Sequence, residues 1–446
     1  MKKLVLFMAF AVAFAGAAER YKDRMFDVTV KRDVTYASKV KHLKTINSLL
    51  KAYNLYATLD EGMPVYLYEN ETDLTEVDLK MDIYQPKNDT EKKRPAVLVM
   101  HGGAFAAGSK NDYDQHTITY CDSLAARGYV TAAVQYRLGI TAVVKDKALT
   151  IDSLDFSRTV YRGIQDVRAA VRYFRAHADE LGIDPGRIYL IGNSAGAILS
   201  LENIYMDKES EIPPAAKNKP DLGGLDAYGV QDYGAQANAV AALWGAVHDP
   251  KIIENVDKPV LLVHGKADST VVWKTGRPLG NIANVLKNLM PDAAATIGAL
   301  AFHVGTPTLY GSYVIDSVLT VNNVEHETYF VEGQPHEFYD YEDYDVKVQD
   351  KVFNFLYSLT QKPAGAADRI VVALVKPSAL RMGENNHSFT VTKGSNLAYA
   401  VTDLRGRMVK NGVVSAGETV EFADLDRGVY VLRVKGERSI RFGLSR

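Results

Sequence analysis

The feature that most constrains the fold of this chain is a series of short apolar runs separated by stretches of helical period. Six runs share this character: PAVLVM (Pro95 to Met100), YVTAAVQY (Tyr129 to Tyr136), RIYLIG (Arg187 to Gly192), AVAALWGAV (Ala239 to Val247), KPVLLVHG (Lys258 to Gly265) and HETYFVEG (His326 to Gly333). Runs with little polar alternation are typical of strands buried on both faces of a parallel sheet. From Val160 to Leu181, apolar residues recur at steps of three and four, as in an amphipathic helix that ends at Gly182. Strands alternating with helices predict an α/β fold with a doubly wound, mostly parallel sheet.

Both flanks of this region have a different pattern. Ahead of it, VDLKMDIYQP (Val77 to Pro86) alternates apolar and polar residues, which predicts a half-buried edge strand or antiparallel strand. After it, KPAGAADR (Lys362 to Arg369) is rich in small and helix-breaking residues, and the short strand-like segments HSFTVT, NLAYAVTD, TVEFADL, VYVLRVKG and SIRFGL follow. We therefore expect an α/β domain over residues 19–361, a linker over 362–377 and a small all-β sandwich over 378–446.

The first residues have the organisation of a secretory signal peptide. Lys2 and Lys3 precede an apolar stretch from Leu4 to Phe14, and the small residues Ala15 to Ala18 follow it. That stretch is shorter than the roughly 20 residues that span a bilayer. We expect residues 1–18 to be removed and the mature protein to be secreted or held at the cell surface.

Charge and cysteine content exclude several classes of protein. A formal net charge of −2 gives no basic footprint for nucleic acid and no polybasic surface for membranes. Cys121 is the single cysteine, which excludes a disulfide within the chain and a cysteine-ligated zinc site. We expect no membrane span after the signal peptide.

One serine lies in a G-x-S-x-G pattern. Gly192-Asn193-Ser194-Ala195-Gly196 follows an apolar run and precedes AILSLENIYM, which is able to continue as a helix. This pattern is typical of a nucleophile elbow, in which the serine lies on a strained turn between a strand and a helix. Glycines two before and two after the serine remove side chains where strand and helix pass closely. The pattern predicts Ser194 as a nucleophile.

A serine nucleophile needs a histidine base and a carboxylate that orients it. Asp268 in HGKADSTV and His336 in EGQPHEF each follow a buried strand, where open α/β sheets build their sites. The order Ser194, Asp268, His336 is the order of α/β hydrolases. Two other acids, Asp249 and Asp232, stay open as alternatives to Asp268. The remaining histidines fit less well, because His101 belongs to another motif, His264 lies inside a strand end and His248 comes too early.

A glycine-rich turn directly after a buried strand offers donors for an oxyanion. The segment VMHGGAFAAGSK (Val99 to Lys110) resembles the HGGG-type oxyanion loop of esterases and lipases. By that resemblance, the backbone N–H groups of Gly103 and Ala104 join that of Ala195. His101 is then a residue that shapes the loop.

Aromatic residues near these loops have two interpretations. Phe105, Trp244 and Trp273 are predicted to line a substrate pocket, and the alternative is that they belong to the core, as most aromatic residues of α/β domains do. Asp166 is placed on the polar side of the long helix and is interpreted as structural.

The motifs together resemble a known superfamily. Residues from about 70 to 360 resemble the secreted carboxylesterases of the α/β-hydrolase superfamily, most of all bacterial feruloyl-esterase-like and acetylxylan-esterase-like enzymes. The resemblance lies in HGGAF, VQYRLG, IQDVRAAVRYFRAHADELGIDPGRIYLIGNSAGA, VLLVHGKADSTV and EGQPHEF. The chain departs from the family in having HGGAF in place of HGGG and a longer segment from Trp273 to Val324.

The last 70 or so residues resemble another family. AVTDLRGRMV, LDRGVYVLRVKG and a basic strand near the end are similar to the C-terminal sorting domain of the type IX secretion system, although SIRFGLSR departs from the usual lysine-rich ending. The resemblance implies the secretion machinery as a partner. A carbohydrate-binding or purely structural β-sandwich is the alternative.

These resemblances imply a secreted serine ester hydrolase with an α/β-hydrolase fold that acts on acetyl or feruloyl esters of plant cell-wall polysaccharide. No metal or cofactor is expected, because the serine, histidine and aspartate carry the chemistry. A serine peptidase of the prolyl-oligopeptidase type stays open, although about 80 residues ahead of the α/β region leave no room for a propeller. A non-catalytic binding protein on the same fold is the other alternative.

Overall fold

The computed structural model describes most of the 446-residue chain. The described residues are 18–45, 66–111, 116–146, 148–217, 219, 221–253, 256–280, 301–340, 343–361, 380–383, 387–403, 408–434 and 440–444. The predicted signal peptide, apart from Ala18, and the predicted linker 362–377 lie outside these residues, so both stay predictions.

The α/β region contains strands and helices in alternation. Its strands are β1 (Val28–Leu43), β2 (Leu67–Tyr68), β3 (Leu74–Pro86), β4 (Arg94–Met100), β5 (Val130–Val134), β6 (Ile140–Thr141), β7 (Val143–Lys145), β8 (Ala148–Ile151), β9 (Ile183–Asn193), β10 (Ala239–Leu243), β11 (Ala246–Val247), β12 (Val260–Gly265), β13 (Thr275–Gly276), β14 (Ala301–Val304), β15 (Leu309–Gly311) and β16 (His326–Val331). Its helices are α1 (Thr117–Ala125), α2 (Ser153–Ala176), α3 (Ala178–Leu181), α4 (Ala195–Tyr205), α5 (Ser312–Val321) and α6 (Tyr344–Thr360).

Eight of these strands form one sheet that fixes the fold. Their order is β1-β3-β5-β4-β9-β10-β12-β16. The strand β3 pairs antiparallel with β1 and β5, and every pair from β5 to β16 is parallel. Non-consecutive neighbours in a parallel sheet require crossovers, which the helices supply. This doubly wound, mostly parallel sheet confirms the predicted α/β-hydrolase fold.

The continuous apolar runs follow from helices on both faces of the sheet. In β4 every residue is buried. Alternate residues contribute to two cores, with Leu98 on the face that α2 and α4 cover and Val97 on the face that α1 and α6 cover. A strand covered on both faces has no solvent side on which polar residues would be favoured. The elements β5, β10 and β12 are buried in the same way.

One strand prediction needs correction, and a second is decided between its two alternatives. The run HETYFVEG was predicted as a strand buried on both faces, and this is wrong for β16, whose residues are partly or fully exposed. The reason is its place at the sheet edge, where it pairs only with β12. The alternating segment, predicted as an edge strand or an antiparallel strand, is the antiparallel strand β3, which has β1 on its outer side.

The long helix α2 buries its polar side as well as its apolar side. It begins after Asp152, whose carboxylate accepts from Leu154 N–H, and the following α3 ends at Gly182 with φ of 62°. Asp166 was predicted on the polar side of this helix, and it lies there fully buried against Arg137. Arginines along the same side pair with Glu71, Asp221 and Asp226. The polar face of α2 therefore packs against other segments of the protein and is shielded from solvent.

The C-terminal residues form two small antiparallel sheets. Their strands are β17 (Leu380–Met382), β18 (Ser388–Val391), β19 (Leu397–Asp403), β20 (Met408–Val414), β21 (Thr419–Glu421), β22 (Gly428–Val434) and β23 (Ile440–Leu444), in the orders β17-β18-β21 and β20-β19-β22-β23. A separate core joins the sheets, with Phe422 stacked between Phe389 and Phe442. This is the predicted all-β part. Across the described chain, we find no helix with the length and apolar character of a membrane span.

Candidate active site

The serine lies on a strained turn between β9 and α4. Ser194 has φ of 52° and ψ of −114°, a backbone conformation that residues other than glycine rarely adopt. A Cβ on Gly192 would lie 2.2 Å from the carbonyl oxygen of Gly196, and a Cβ on Gly196 would lie 2.3 Å from that of Met100. Both contacts are with backbone, so neither position accepts a side chain. The G-x-S-x-G pattern is therefore explained by close packing of strand, turn and helix.

The structure brings the three predicted side chains together in one hydrogen-bonded chain. The Nε2 atom of His336 lies 2.8 Å from Ser194 Oγ, and its Nδ1 atom lies 2.7 Å from Asp268 Oδ2. Ser194 is 5% exposed and the side chain of His336 is 13% exposed, so both side chains are largely shielded from solvent. With Nδ1–H donating to the carboxylate, Nε2 is free of a proton and can accept the one on Ser194.

Asp268 is held by four donors in a tight turn after β12. Its Oδ1 atom accepts from the N–H groups of Thr270 at 2.8 Å and Val271 at 2.9 Å. Its Oδ2 atom has two imidazole neighbours, His336 and, at 3.1 Å, Nε2 of His264. Burial alone would raise the pKa of this carboxyl, but the interactions with His336 and His264 outweigh it and hold the pKa well below its ordinary value. The carboxylate therefore stays ionised at neutral pH.

The loops that carry the acid and the histidine touch through backbone. Ala267 N–H donates to the carbonyl of Gln334 at 2.9 Å. A Cβ on Gly265 would lie 2.3 Å from that same oxygen and 2.4 Å from the carbonyl of Pro335. A glycine at the end of β12 is thus required for the loop before His336 to pack directly on the loop before Asp268.

The predicted oxyanion loop follows β4 and packs against the elbow. Gly103 has φ of 102° and Ala104 has φ of 52°, so alanine adopts a left-handed conformation that favours glycine. Gly103 accepts at its carbonyl from Ala106 and Ala107 N–H, which closes the loop. Within the described ranges, the backbone N–H groups of Gly103, Ala104 and Ala195 donate to no acceptor. Three unused donors near the serine are what an oxyanion requires.

His101 and Tyr136 shape this loop from inside. The imidazole of His101 is fully buried, stacks on Tyr136 at 4.4 Å between ring centroids, and has its Nδ1 atom 2.7 Å from the carbonyl of Gly102. Tyr136 donates its hydroxyl to the carbonyl of His101 at 2.9 Å. Burial lowers the pKa of His101 to about 4, so the ring is neutral at pH 7.

The three predicted pocket residues lie in different surroundings. Trp244 is fully buried with φ of 60°, and its ring lies edge-on to that of His336 at 6.2 Å. Phe105 is 2% exposed and lies edge-on to Phe156 of α2. Trp273 packs against Tyr313 and Phe330. Trp244 is the one of the three with a ring contact to the triad, and a pocket role stays a prediction for all three.

The alternative acids have other partners. Asp249 accepts from Lys251 N–H at 3.0 Å, in the turn after β11. Asp232 is exposed, with φ of 67°. Neither is among the partners of His336, whose Nδ1 atom is taken by Asp268. The structure therefore favours Asp268 over both.

Two contributors to the site were missed by the reasoning from sequence. His264 was set aside as part of a strand end, yet its ring reaches Asp268. Asn193, the second residue of the G-x-S-x-G pattern, donates Nδ2–H to the hydroxyl of Tyr339 at 2.6 Å, three residues after His336. A polar residue at the end of an apolar strand, four positions before the acid, was the available signal for His264.

No group of three or more histidine, cysteine, aspartate or glutamate side chains is arranged to hold a metal ion in the part of the chain that the structure describes. The expectation that the chemistry needs no metal or cofactor stays a prediction.

Comparisons with known proteins find local similarity to esterases and related proteins. Residues 81–232 match the BD-FAE family model. Carboxylesterase 3B of Mus musculus is 34% identical over 123 residues, which are 27% of this chain and 19% of that protein. Neuroligin-like protein glit-1 of Caenorhabditis elegans is 31% identical over 121 residues, which are 27% of this chain and 15% of that protein. The chain thus spans less than a fifth of the length of either relative.

A solved structure of an esterase from Thermogutta terrifontis, Est2 with propionate bound, is 21% identical to this chain. The superposition covers 67% of this chain and 93% of the esterase, with a TM-score of 0.38.

Proposed function

We propose that this protein is a serine carboxylic ester hydrolase that works through an acyl-enzyme. The observation that carries the proposal is the hydrogen-bonded chain from Ser194 through His336 to Asp268, with 2.8 Å and 2.7 Å between the atoms that exchange or share a proton. Matches to a carboxylesterase and to the BD-FAE model support the ester class over the peptidase alternative.

In the proposed reaction, Ser194 Oγ attacks the ester carbonyl while His336 Nε2 accepts the hydroxyl proton. The negative oxygen of the tetrahedral intermediate accepts from the N–H groups of Ala195, Gly103 and Ala104. His336 then gives its proton to the leaving alcohol, and the acyl group remains on Ser194. Water repeats the sequence: His336 takes its proton, the hydroxide adds to the acyl carbon, and Ser194 leaves with the proton returned.

Asp268 has two parts in this scheme. It fixes the tautomer of His336 by accepting from Nδ1–H, and its negative charge stabilises the imidazolium that forms in each step. Because His336 and His264 hold the pKa of Asp268 well below its ordinary value, Asp268 does not take the proton itself.

The substrate class and the location of the reaction are further parts of the proposal. We assign acetyl or feruloyl esters of plant cell-wall polysaccharide as substrates, on the resemblance of HGGAF, LIGNSAGA and EGQPHEF to feruloyl-esterase-like and acetylxylan-esterase-like enzymes. The N-terminal sequence supports export, and the C-terminal β strands support a sorting address read by the type IX secretion machinery. In that case the C-terminal part has no role in catalysis.

The decisive variant is Ser194→Ala, assayed on p-nitrophenyl acetate. We expect turnover to fall to background while thermal unfolding is unchanged, because the hydroxyl is the nucleophile and the fold does not depend on it. Ser157→Ala, which removes a hydroxyl that donates to the carbonyl of Ser153 in α2, is the matched control and should retain full activity. Retained turnover in Ser194→Ala would refute the proposal.

The same preparations then separate the substrates. Acetate release from acetylated xylan, ferulate release from feruloylated arabinoxylan and cleavage of dipeptidyl amides are measured in parallel. We expect Ser194-dependent release from one of the two polysaccharides and none from the amides. Cleavage of the amides alone would support the peptidase.

A further inference from the structure

A second imidazole lies on the far side of the acid from His336. The ring of His264, at the end of β12, is fully buried. Its Nε2 atom lies 3.1 Å from Asp268 Oδ2 and 2.8 Å from the carbonyl oxygen of Val271. Its Nδ1 atom lies 2.8 Å from Ser312 Oγ, at the start of α5. Every polar atom of this ring therefore has a partner.

These contacts join the two ends of the turn that carries Asp268. The turn runs from Asp268 to Val271, and its backbone N–H groups already donate to Asp268 Oδ1. The Nε2–H of His264 is shared between the two ends of the same turn, the carboxylate of Asp268 and the carbonyl of Val271. A single donor thus sets both the side chain of the acid and the shape of the loop that carries it.

The backbone carbonyl of Val271 decides which nitrogen of His264 carries the proton. A neutral imidazole has one donor and one acceptor nitrogen. Val271 offers a carbonyl oxygen, which only accepts, so Nε2 must donate. Nδ1 then accepts from the hydroxyl of Ser312, which is itself fully buried. The result is a continuous chain of five side chains: Ser194, His336, Asp268, His264 and Ser312.

We propose that His264 is a positioning residue for the triad, which holds Asp268 where its Oδ2 atom reaches Nδ1 of His336. This rests on the proposed function, because positioning matters for turnover only if Ser194 is the nucleophile. Ser312, which is fully buried, donates to Nδ1 of His264 and so completes the hydrogen bonds of that tautomer. Buried partners that orient a ligand or base raise activity without contacting substrate.

Two amide substitutions at position 264 test whether His264 positions Asp268 through its hydrogen bond or only fills the space at the end of β12. In His264→Gln the amide nitrogen lies close to where Nε2 was, and its two N–H groups can serve Asp268 and Val271 together. In His264→Asn the amide is one carbon shorter, so it reaches towards Ser312 and not towards the acid. Both variants keep a polar side chain of similar character at the end of β12.

We expect kcat on p-nitrophenyl acetate to fall about 10- to 100-fold in His264→Asn, with KM nearly unchanged. His264→Gln should keep kcat within about threefold of the wild type, because it restores the donor. His326→Asn is the matched control. There Nε2 also lies 3.1 Å from a carboxylate, that of Asp316, and Nδ1 lies 2.8 Å from a carbonyl, that of Val324, away from the triad. The control should keep kcat.

Equal kcat in the Asn and Gln variants, or an Asn variant within threefold of the wild type, would overturn the proposal. Crystal structures of both variants give a readout that does not need turnover. The distance from Asp268 Oδ2 to His336 Nδ1, now 2.7 Å, should exceed 3.5 Å in the Asn variant and stay below 3 Å in the Gln variant. If the wild type has no Ser194-dependent turnover, the proposed function fails, and these distances still decide the positioning role.

Discussion

Two buried polar regions of the α/β domain differ in how their hydrogen bonds end. Along α2, Arg137 meets Asp166, and Arg162 meets both Asp221 and Glu71. Each charge there has an opposite charge within hydrogen-bonding distance. In the cluster at the ends of β9, β12 and β16, the carboxylate of Asp268 accepts from two backbone N–H groups and contacts two imidazole rings. From that carboxylate, one arm of the hydrogen-bonded chain runs through His336 to the hydroxyl of Ser194.

The difference teaches that burial of polar residues does not by itself mark a functional site. The ion pairs along α2 use their charged groups on one another, which leaves none for a substrate. Their role is to hold the long helix against the segments that pack on it. The second region has three backbone N–H groups, at Gly103, Ala104 and Ala195, that take no acceptor within the described residues. It also collects residues with positive φ that are not glycine, namely Ala104, Phe105, Ser194, Trp244 and Glu337. Such strain persists where the surrounding structure enforces it, as at active sites.

The same substitution, Asp to Asn, separates the two regions. Asp268→Asn is expected to have the largest effect, a fall in kcat of about 10⁴-fold. The amide presents N–H to a nitrogen of His336 that must donate, or forces the other tautomer, in which Nε2 carries a proton and cannot accept one from Ser194. Steady-state kinetics on p-nitrophenyl acetate measures this effect. A loss of less than tenfold would contradict the role given to Asp268.

Asp166→Asn is expected to act on stability and not on chemistry. It leaves the buried guanidinium of Arg137 without its counter-charge, although Arg137 keeps contacts to the carbonyls of Lys41 and Arg162. Removing one partner of a buried ion pair lowers the free energy of unfolding by about 3–5 kcal/mol. Urea unfolding at pH 7 measures this loss, and kcat per folded molecule should stay within about threefold. A large fall in kcat at full stability would erase the distinction between the regions.

The smallest expected effect is that of acid pH on stability, and it concerns Asp268 alone. The pKa of Asp268 is lowered in the folded protein, so its carboxylate contributes stability that is present above the unfolded pKa of about 3.9 and is lost as pH falls through the folded pKa. We therefore compare unfolding free energies at pH 5 and pH 3. The difference in unfolding free energy between the wild type and Asp268→Asn should be smaller at pH 3 than at pH 5. An equal or larger difference at pH 3 would contradict the account.

The sequence predicted the sheet because its signal is local. Runs such as PAVLVM are apolar since both faces of the strand are covered, and the glycines around Ser194 report contacts made within a few residues of the elbow. The order Ser194, Asp268, His336 could be read because each residue follows a strand end, and parallel strands place those ends at one edge.

What the sequence missed depends on contacts between distant segments. His264 is correctly part of β12, but the closed set of contacts around its ring also needs Ser312, which lies 48 positions away in α5. Asp166 was correctly placed on the polar side of its helix, but its burial depends on Arg137 and on the chain around residues 221–226 that covers that side. The exposure of β16 followed from its edge position, which its composition does not encode.

The central claim is that the chain from Asp268 through His336 makes Ser194 a nucleophile. The most direct test is the rate at which a fluorophosphonate probe modifies the protein, with the modified residue identified by mass spectrometry. We predict one adduct, on Ser194, that forms at least 100-fold more slowly in Asp268→Asn. An adduct on another residue, or equal rates in the two proteins, would contradict the claim.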